Sequence, residues 1–357
     1  MDKAELETLV TEANRDFTNK RRNRIVAPVG QTPPATRPRF ELYHAAPSLC
    51  SYKVRFTLAE KGLPFLSHDL DIMCNNERAV PQCYRPAYMR LRMAGAPGAE
   101  LVGGYTGRSA VETEGFDPAV VPTLVDHDEG RVVVDSARIC EYVNDHVGSG
   151  PDLRPSDLSE QIDEHLRIVD QAPHVALLYG ENPDGDFRPG GLRAAITGVH
   201  ARKAVALDRM AALVPDDEAL QAAYVAKKKK EAAAAEFIGT ADSMGTIVGQ
   251  MKEGVVALEE RLEKHGGDFA CGDRFTLADV VWGASLFRMK WIGIGHLFAP
   301  DSECPRVARY SERIFERPAC QQTVIWWLGA HAPSPHIPEM NTIGFTLKFL
   351  RYVFLPF

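Results

Sequence analysis

Seven cysteines are spread along the 357-residue chain, but only Cys50 has neighbours that suggest chemistry. It sits in Pro47-Ser48-Leu49-Cys50-Ser51-Tyr52-Lys53-Val54-Arg55, just after the run Phe40-Glu41-Leu42-Tyr43, where an extended segment turns into a helix. Unpaired amides and the macrodipole at a helix start stabilise negative charge. Lys53 and Arg55 add positive charge nearby. Such surroundings depress a thiol pKa and create a reactive thiolate. The competing use is a structural, buried cysteine. Lys53 stands where a CxxC motif would carry its second cysteine, so a disulfide formed at Cys50 must be resolved by an outside thiol or a distant cysteine.

Three further groups could serve such a thiol. Pro122 opens a strand candidate, Val120-Val121-Pro122-Thr123-Leu124-Val125-Asp126. A proline there lacks a ladder donor, and a cis bond after Val121 would turn the chain so that Val121 offers its N–H and C=O to an extended peptide. A trans proline on an edge strand is the alternative. Asp135-Ser136 stands at a helix N-terminus: the serine hydroxyl and the helix amides suit a carboxylate, and Asp135 suits an ammonium. Simple helix capping is compatible with that use. His174 and Tyr179 belong to the helical half, where either could hold or ionise a phenolic hydroxyl. A satisfied core histidine and a packing tyrosine are the competing uses. Ser48, two residues before Cys50, can cap the turn.

These residues need elements to hold them. Phe40 to Ala45 reads as a strand, Cys50 to Lys61 as a helix ended by Gly62, and Phe65 to Leu70 as a second strand. Residues 72–118 are irregular, with a helical candidate at 84–93. A hairpin follows, turning at His127-Asp128-Glu129-Gly130, and then a helix with apolar Ile139, Tyr142 and Val143. After Pro151 long helical windows dominate, at 157–171, 190–212, 217–238, 241–265, 276–290 and 305–316. Phe275-Thr276-Leu277-Ala278-Asp279 reads as a capping box with a purely stabilising role. Lys227 to Lys230 reads as a solvated helix face, and Trp282, Trp291, Trp326 and Trp327 as core or cleft wall.

The expected architecture is an α/β N-terminal domain over 39–148, with an insertion around 74–117, followed by an all-α domain over 149–330. Residues 1–38 are expected to form a polar arm and linker, with ordered structure starting near Arg39. Residues 331–357 form an apolar tail expected to pack on the body or on a partner subunit, with peripheral membrane contact the minority reading.

Val121-Pro122-Thr123-Leu124, Asp135-Ser136 with Ile139 and Tyr142, and Gly272-Asp273-Arg274-Phe275-Thr276-Leu277-Ala278-Asp279 together resemble the glutathione transferase superfamily. Ser48-Leu49-Cys50-Ser51-Tyr52-Lys53, His174-Val175-Ala176-Leu177-Leu178-Tyr179-Gly180, Glu114-Gly115-Phe116-Asp117-Pro118 and the loop Asp184-Gly185-Asp186 narrow it to the bacterial glutathione-dependent reductive dehalogenases of chlorinated hydroquinones. The resemblance implies a thioredoxin-like first domain, glutathione as co-substrate without a metal, and a homodimer. It implies that Val121 pairs with the cysteinyl backbone of glutathione, that Lys53, Pro122, Asp135 and Ser136 help bind the tripeptide, and that Ser48 can bond its thiolate. It places His174 and Tyr179 on the aromatic substrate. Cys50 would strip glutathione from an aryl conjugate. Three alternatives stay open: aryl-ether cleavage or thioether removal, glutathione-dependent isomerisation of ring-cleavage products, and a non-catalytic binding protein of the same fold.

A net charge of −7 argues against nucleic acid as partner. The odd cysteine count, with no CxxC or His-spaced pair, argues against zinc and for free thiols in a reducing cytoplasm. The charged first residues do not read as a secretory signal.

Overall fold

The computed structural model describes residues 2–17, 23–108, 111–148, 150–182 and 185–354. Asp184 of the expected 184–186 loop and the final three residues of the tail lie outside the described residues.

Helix α1 (Lys3–Arg15), capped by Asp2, is followed by strand β1 (Asn23–Val26). Strand β2 (Phe40–His44), helix α2 (Leu49–Glu60) and strand β3 (Phe65–Asp69) make a parallel β–α–β unit. Gly62, at φ +66°, stops α2, and the Leu63 N–H turns back to the Leu58 carbonyl. Helix α3 (Pro86–Ala94) and a single turn, α4 (Val111–Glu114), lead to the hairpin of β4 (Thr123–Asp126) and β5 (Arg131–Val134). Helix α5 (Ser136–His146) closes this half. The sheet order is β1-β3-β2-β4-β5; β2 and β3 run parallel and the other pairs antiparallel. All five residues of β2 are buried, as suits a central strand covered on both faces.

The segment before Arg39 corrects the expectation of a polar arm. Leu6, Val10 and Ala13, at helical spacing, are buried, and α1 packs on α3. Strand β1 pairs along β3 and covers what would be an open sheet edge. Glu41, fully buried in β2, ties α1 to the sheet. Its carboxylate accepts hydrogen bonds from Asn14 and Tyr43, from the Arg37 guanidinium, and from His68 and His127. Burial pushes its pKa up, but the hydrogen bonds from His127, His68 and Arg37 hold it far below the ordinary carboxylate range. The folded pKa therefore lies below the unfolded one. The stabilisation is complete above the unfolded value of about 4.3 and is lost as pH falls toward the folded value. We expect α1 to loosen progressively as pH falls below about 4, and Glu41→Gln to loosen it already at pH 7. Hydrogen exchange on residues 3–15 reads this; protection unchanged in the variant would refute it.

The second half is helical. Helices α6 (Ser159–Asp170), α7 (His174–Tyr179), α8 (Gly190–Ile196), α9 (Val199–Ala211) and α10 (Glu218–Ile238) come first. Helices α11 (Ala241–His265), α12 (Leu277–Ile292), α13 (Pro305–Phe315), the short α14 (Pro318–Cys320) and α15 (Ile343–Phe354) complete it. Helix α12 is buried almost throughout and touches both α2 and α6. Gly283 permits that approach, since a Cβ there would meet the Ile314 side chain at 2.5 Å and the Phe56 ring at 3.3 Å. The capping box of Thr276 and Asp279 is formed.

One other reading is corrected here. Trp326 is 45% exposed, unlike the buried Trp282, Trp291 and Trp327. The tail helix α15 packs only one face: Phe345 meets Trp326, and the Tyr352 hydroxyl donates to Asp69 at 2.6 Å. Ile343, Leu347, Leu350 and Val353 stand exposed on its outer side. Among the described residues no helix is long and apolar enough to cross a membrane.

Candidate active site

The loop Ala45–Ser48 and the first turn of α2 place Cys50. Ser48 caps α2, its hydroxyl accepting from the Ser51 N–H at 3.3 Å. Arg55 holds the preceding backbone: its guanidinium donates to the carbonyls of Ala45, Ala46 and Thr323 and lies 4.4 Å from the Trp327 ring centroid. It is fully buried beneath the loop, so it is a structural clamp and not the second cation expected beside the thiol. Arg288, from α12, donates to the Pro47 carbonyl on the other side.

One cavity of about 240 Å³ gathers the expected residues. Ser48, Cys50, Lys53, Val121, Pro122, Asp135, Ser136, His174 and Tyr179 all line it. The Val121–Pro122 peptide is cis. Among the described residues no hydrogen bond of the fold engages the amide or carbonyl of Val121. Arg92, on α3 of the expected insertion, donates to the carbonyls of Asp117 and Pro122 and fixes this turn from behind. Asp135 caps α5 at φ +76°, accepting from the Ala137 and Arg138 amides. A non-glycine residue in that region signals a position held by its surroundings. Lys53, buried, pairs with Asp170 at 3.5 Å.

The thiol itself departs from expectation. Burial pushes the Cys50 pKa above its ordinary value; Asp170 and Asp135 add to this, while Lys53 and a hydrogen bond with Ser136 oppose it. Helix dipole and local charge pointed downward, but removal of water and two nearby carboxylates outweigh them. Lys53→Met would drive the thiol further up, because Lys53 is the cation that lowers it. Alkylation of Cys50 by iodoacetamide at pH 8 should slow about three- to tenfold. An unchanged rate would remove Lys53 from the electrostatics of the thiol.

His174 is buried and neutral: burial, then Lys53 and Arg288, pull its pKa well below the ordinary value. One of its ring nitrogens, Nε2, bonds the Ser285 hydroxyl at 3.0 Å, and the other, Nδ1, has no partner among the described residues. Tyr179 carries the Lys203 ammonium 4.6 Å from its ring centroid.

A charged wall of the same cavity was not foreseen. Lys227 and Lys230, read as a solvated face, turn inward. Lys227 bonds Asp117 at 2.8 Å and Glu231 at 3.0 Å, and Lys230 bonds Glu114 at 3.0 Å. Lys203 and His200 also reach Glu231, at 3.1 and 2.8 Å. Burial raises the Asp117 carboxyl, yet Lys227 and Lys230 hold it at about 2. Only Lys228 and Lys229 remain on the solvent side. The i, i+4 spacing of Lys227 and Glu231 was legible; their burial depends on partners more than a hundred residues away.

The descriptions Glutathione S-transferase, N-terminal domain, and Glutathione S-transferase, C-terminal domain, match residues 47–146 and 197–313. The chain belongs to the glutathione S-transferase family. Within this family it is 40% identical, over 94% of its length and 97% of the relative's, to a 2,5-dichlorohydroquinone reductive dechlorinase of Sphingobium indicum. It is 26% identical, over 80% of its length and 74% of the relative's, to the human ganglioside-induced differentiation-associated protein 1-like 1. Among solved structures, the beta-etherase LigF from Sphingobium sp. strain SYK-6 shares the glutathione transferase fold. Its TM-score is 0.52 at 19% identity, with 79% of this chain and 97% of that one covered.

Proposed function

We propose that this glutathione transferase is a glutathione-dependent reductive dehalogenase that removes chloride from a chlorinated hydroquinone. The observation that carries the reading is the 40% identity, across nearly the whole chain, to a protein named for that reaction. The cavity supports it. Asp135 and Ser136 at the start of α5 suit the ammonium and carboxylate of a γ-glutamyl group. The unengaged backbone of Val121 suits the extended peptide that follows. Ser48 and Lys53 flank the place where two sulfurs must meet.

The proposed chemistry has three balanced steps. First, a ring carbon of the keto tautomer gains the sulfur of one glutathione and loses chloride. Next, Cys50 attacks that sulfur; the C–S electron pair stays on the ring, the ring carbon takes up a proton, and the dechlorinated hydroquinone leaves. Cys50 is then a mixed disulfide. Finally a second glutathione thiolate attacks it, returning the Cys50 thiolate and forming oxidised glutathione. The net reaction oxidises two glutathiones and reduces one carbon–chlorine bond. Lys53 and the α2 N-terminus stabilise the Cys50 thiolate as it forms, offsetting the burial that keeps the resting thiol protonated. Cys50 and the other six cysteines are all free thiols, which suits the reducing cytoplasm we assign to the protein. We extend the proposal to a homodimer, the assembly typical of this family; light scattering tests it.

The deciding experiment counts products. Incubation with dichlorohydroquinone and glutathione should release chloride and oxidised glutathione in equal amounts. Chloride without oxidised glutathione would make the protein a simple transferase. Neither product would sink the proposal.

A further inference from the structure

His200 was singled out by no sequence pattern, yet it lines the cavity that holds Cys50. Its Nδ1 bonds the buried Glu231 carboxylate at 2.8 Å. Burial alone would raise the Glu231 pKa, but Lys203, Lys227 and His200 hold it well below the ordinary range, so this partner is an anion. A carboxylate at Nδ1 fixes the proton there and leaves Nε2 as an acceptor. That Nε2 is buried and has no hydrogen-bond partner among the described residues. The same is true of Nδ1 of His174, on the same cavity. Two buried, unpaired imidazole nitrogens in one cavity are costly unless a guest satisfies both.

We propose that His200, held by Glu231, is a second hydroxyl receptor of the cavity beside His174, so that the site selects aromatic rings carrying two hydroxyl groups. This deepens the dehalogenase reading and rests on it. His200 accepts a hydrogen bond from one ring hydroxyl through Nε2, and His174 takes the other. A ring with one hydroxyl leaves one nitrogen unpaired. The three lysines of this wall, paired with Glu114, Asp117 and Glu231, carry donors only and cannot accept the hydroxyl proton.

The test measures binding without turnover. Unchlorinated hydroquinone and 4-methoxyphenol, which have no chloride to lose, are titrated calorimetrically into wild type and into His200→Asn. Asparagine keeps a donor where Nδ1 meets Glu231 but has nothing at the Nε2 position. Wild type should bind hydroquinone about tenfold more tightly than its methyl ether. In His200→Asn that preference should shrink to about twofold or less, with glutathione affinity and the unfolding midpoint unchanged. His200→Phe, which preserves ring volume, should lose the preference likewise, with a lower unfolding midpoint because Glu231 loses a donor. A wild type without preference, or a variant that keeps the tenfold preference, overturns the proposal. Chloride release by the wild type is scored separately. If it is absent while the preference responds to His200, the dehalogenase reading fails and the receptor stands. If it is present while the preference ignores His200, the receptor fails alone.

Discussion

Cys50→Ser should halt the reaction at the glutathionyl conjugate. Chloride should still be released, within about fivefold of the wild-type single-turnover rate, since Cys50 takes no part in that step. Free dechlorinated hydroquinone should fall by about a thousandfold or more, because a serine hydroxyl cannot form the sulfur–sulfur bond that drives the ring out. Mass spectrometry should find the conjugate accumulating in an amount equal to the chloride, with no oxidised glutathione. Normal turnover by the variant would eliminate Cys50 from the mechanism. The geometry behind this expectation is local. Cys50 shares one cavity with Ser48, Val121, Asp135 and Ser136, where the proposed mechanism puts the glutathione sulfur beside the protein thiol.

Asp279→Ala should produce the largest loss of stability. The Asp279 carboxylate is fully buried and receives four hydrogen bonds: from the Ala270 and Thr276 amides, the Thr276 hydroxyl and the Tyr310 hydroxyl. Alanine leaves all four donors without an acceptor in a place water does not reach. We expect a cost of about 4 kcal/mol, from unsatisfied donors at about 1–3 kcal/mol each and partial relaxation. Asn should cost less, because its carbonyl oxygen keeps some of them. Urea unfolding followed by tryptophan fluorescence checks this; a loss under about 1 kcal/mol would show that the cap is dispensable. The effect should reach the site, because α12 carries Ser285 against His174 and Arg288 against Pro47. A looser α12 start should therefore weaken glutathione binding before global unfolding.

Much of this arrangement was legible because local chemistry decides it. Gly62 ends α2 through a backbone conformation that suits glycine, and Asp135 caps α5 through bonds to residues two and three ahead. The strand–helix–strand–hairpin–helix order follows from hydrophobic periodicity over short windows. Three features were not legible, for one shared reason. Helix α1 has its buried stripe in plain view, but the surface of α3 that receives it is assembled by the fold. Lys227 and Lys230 look like any solvated lysines until Asp117, from a distant loop, meets them. Cys50 has the charge pattern of an activated thiol, and only packing reveals how much water it has lost. In each case the local signal was present, and a partner remote in sequence reversed its meaning.

Asp69 gives one more consequence. Its carboxylate accepts at once from the Ala46 amide, the Trp327 indole and the Tyr352 hydroxyl. The last helix is thereby tied to the loop that precedes Cys50. Shortening the polypeptide after Met340, a tempting way to improve its handling, would remove one of those three donors and loosen the loop before Cys50, about three hundred positions upstream.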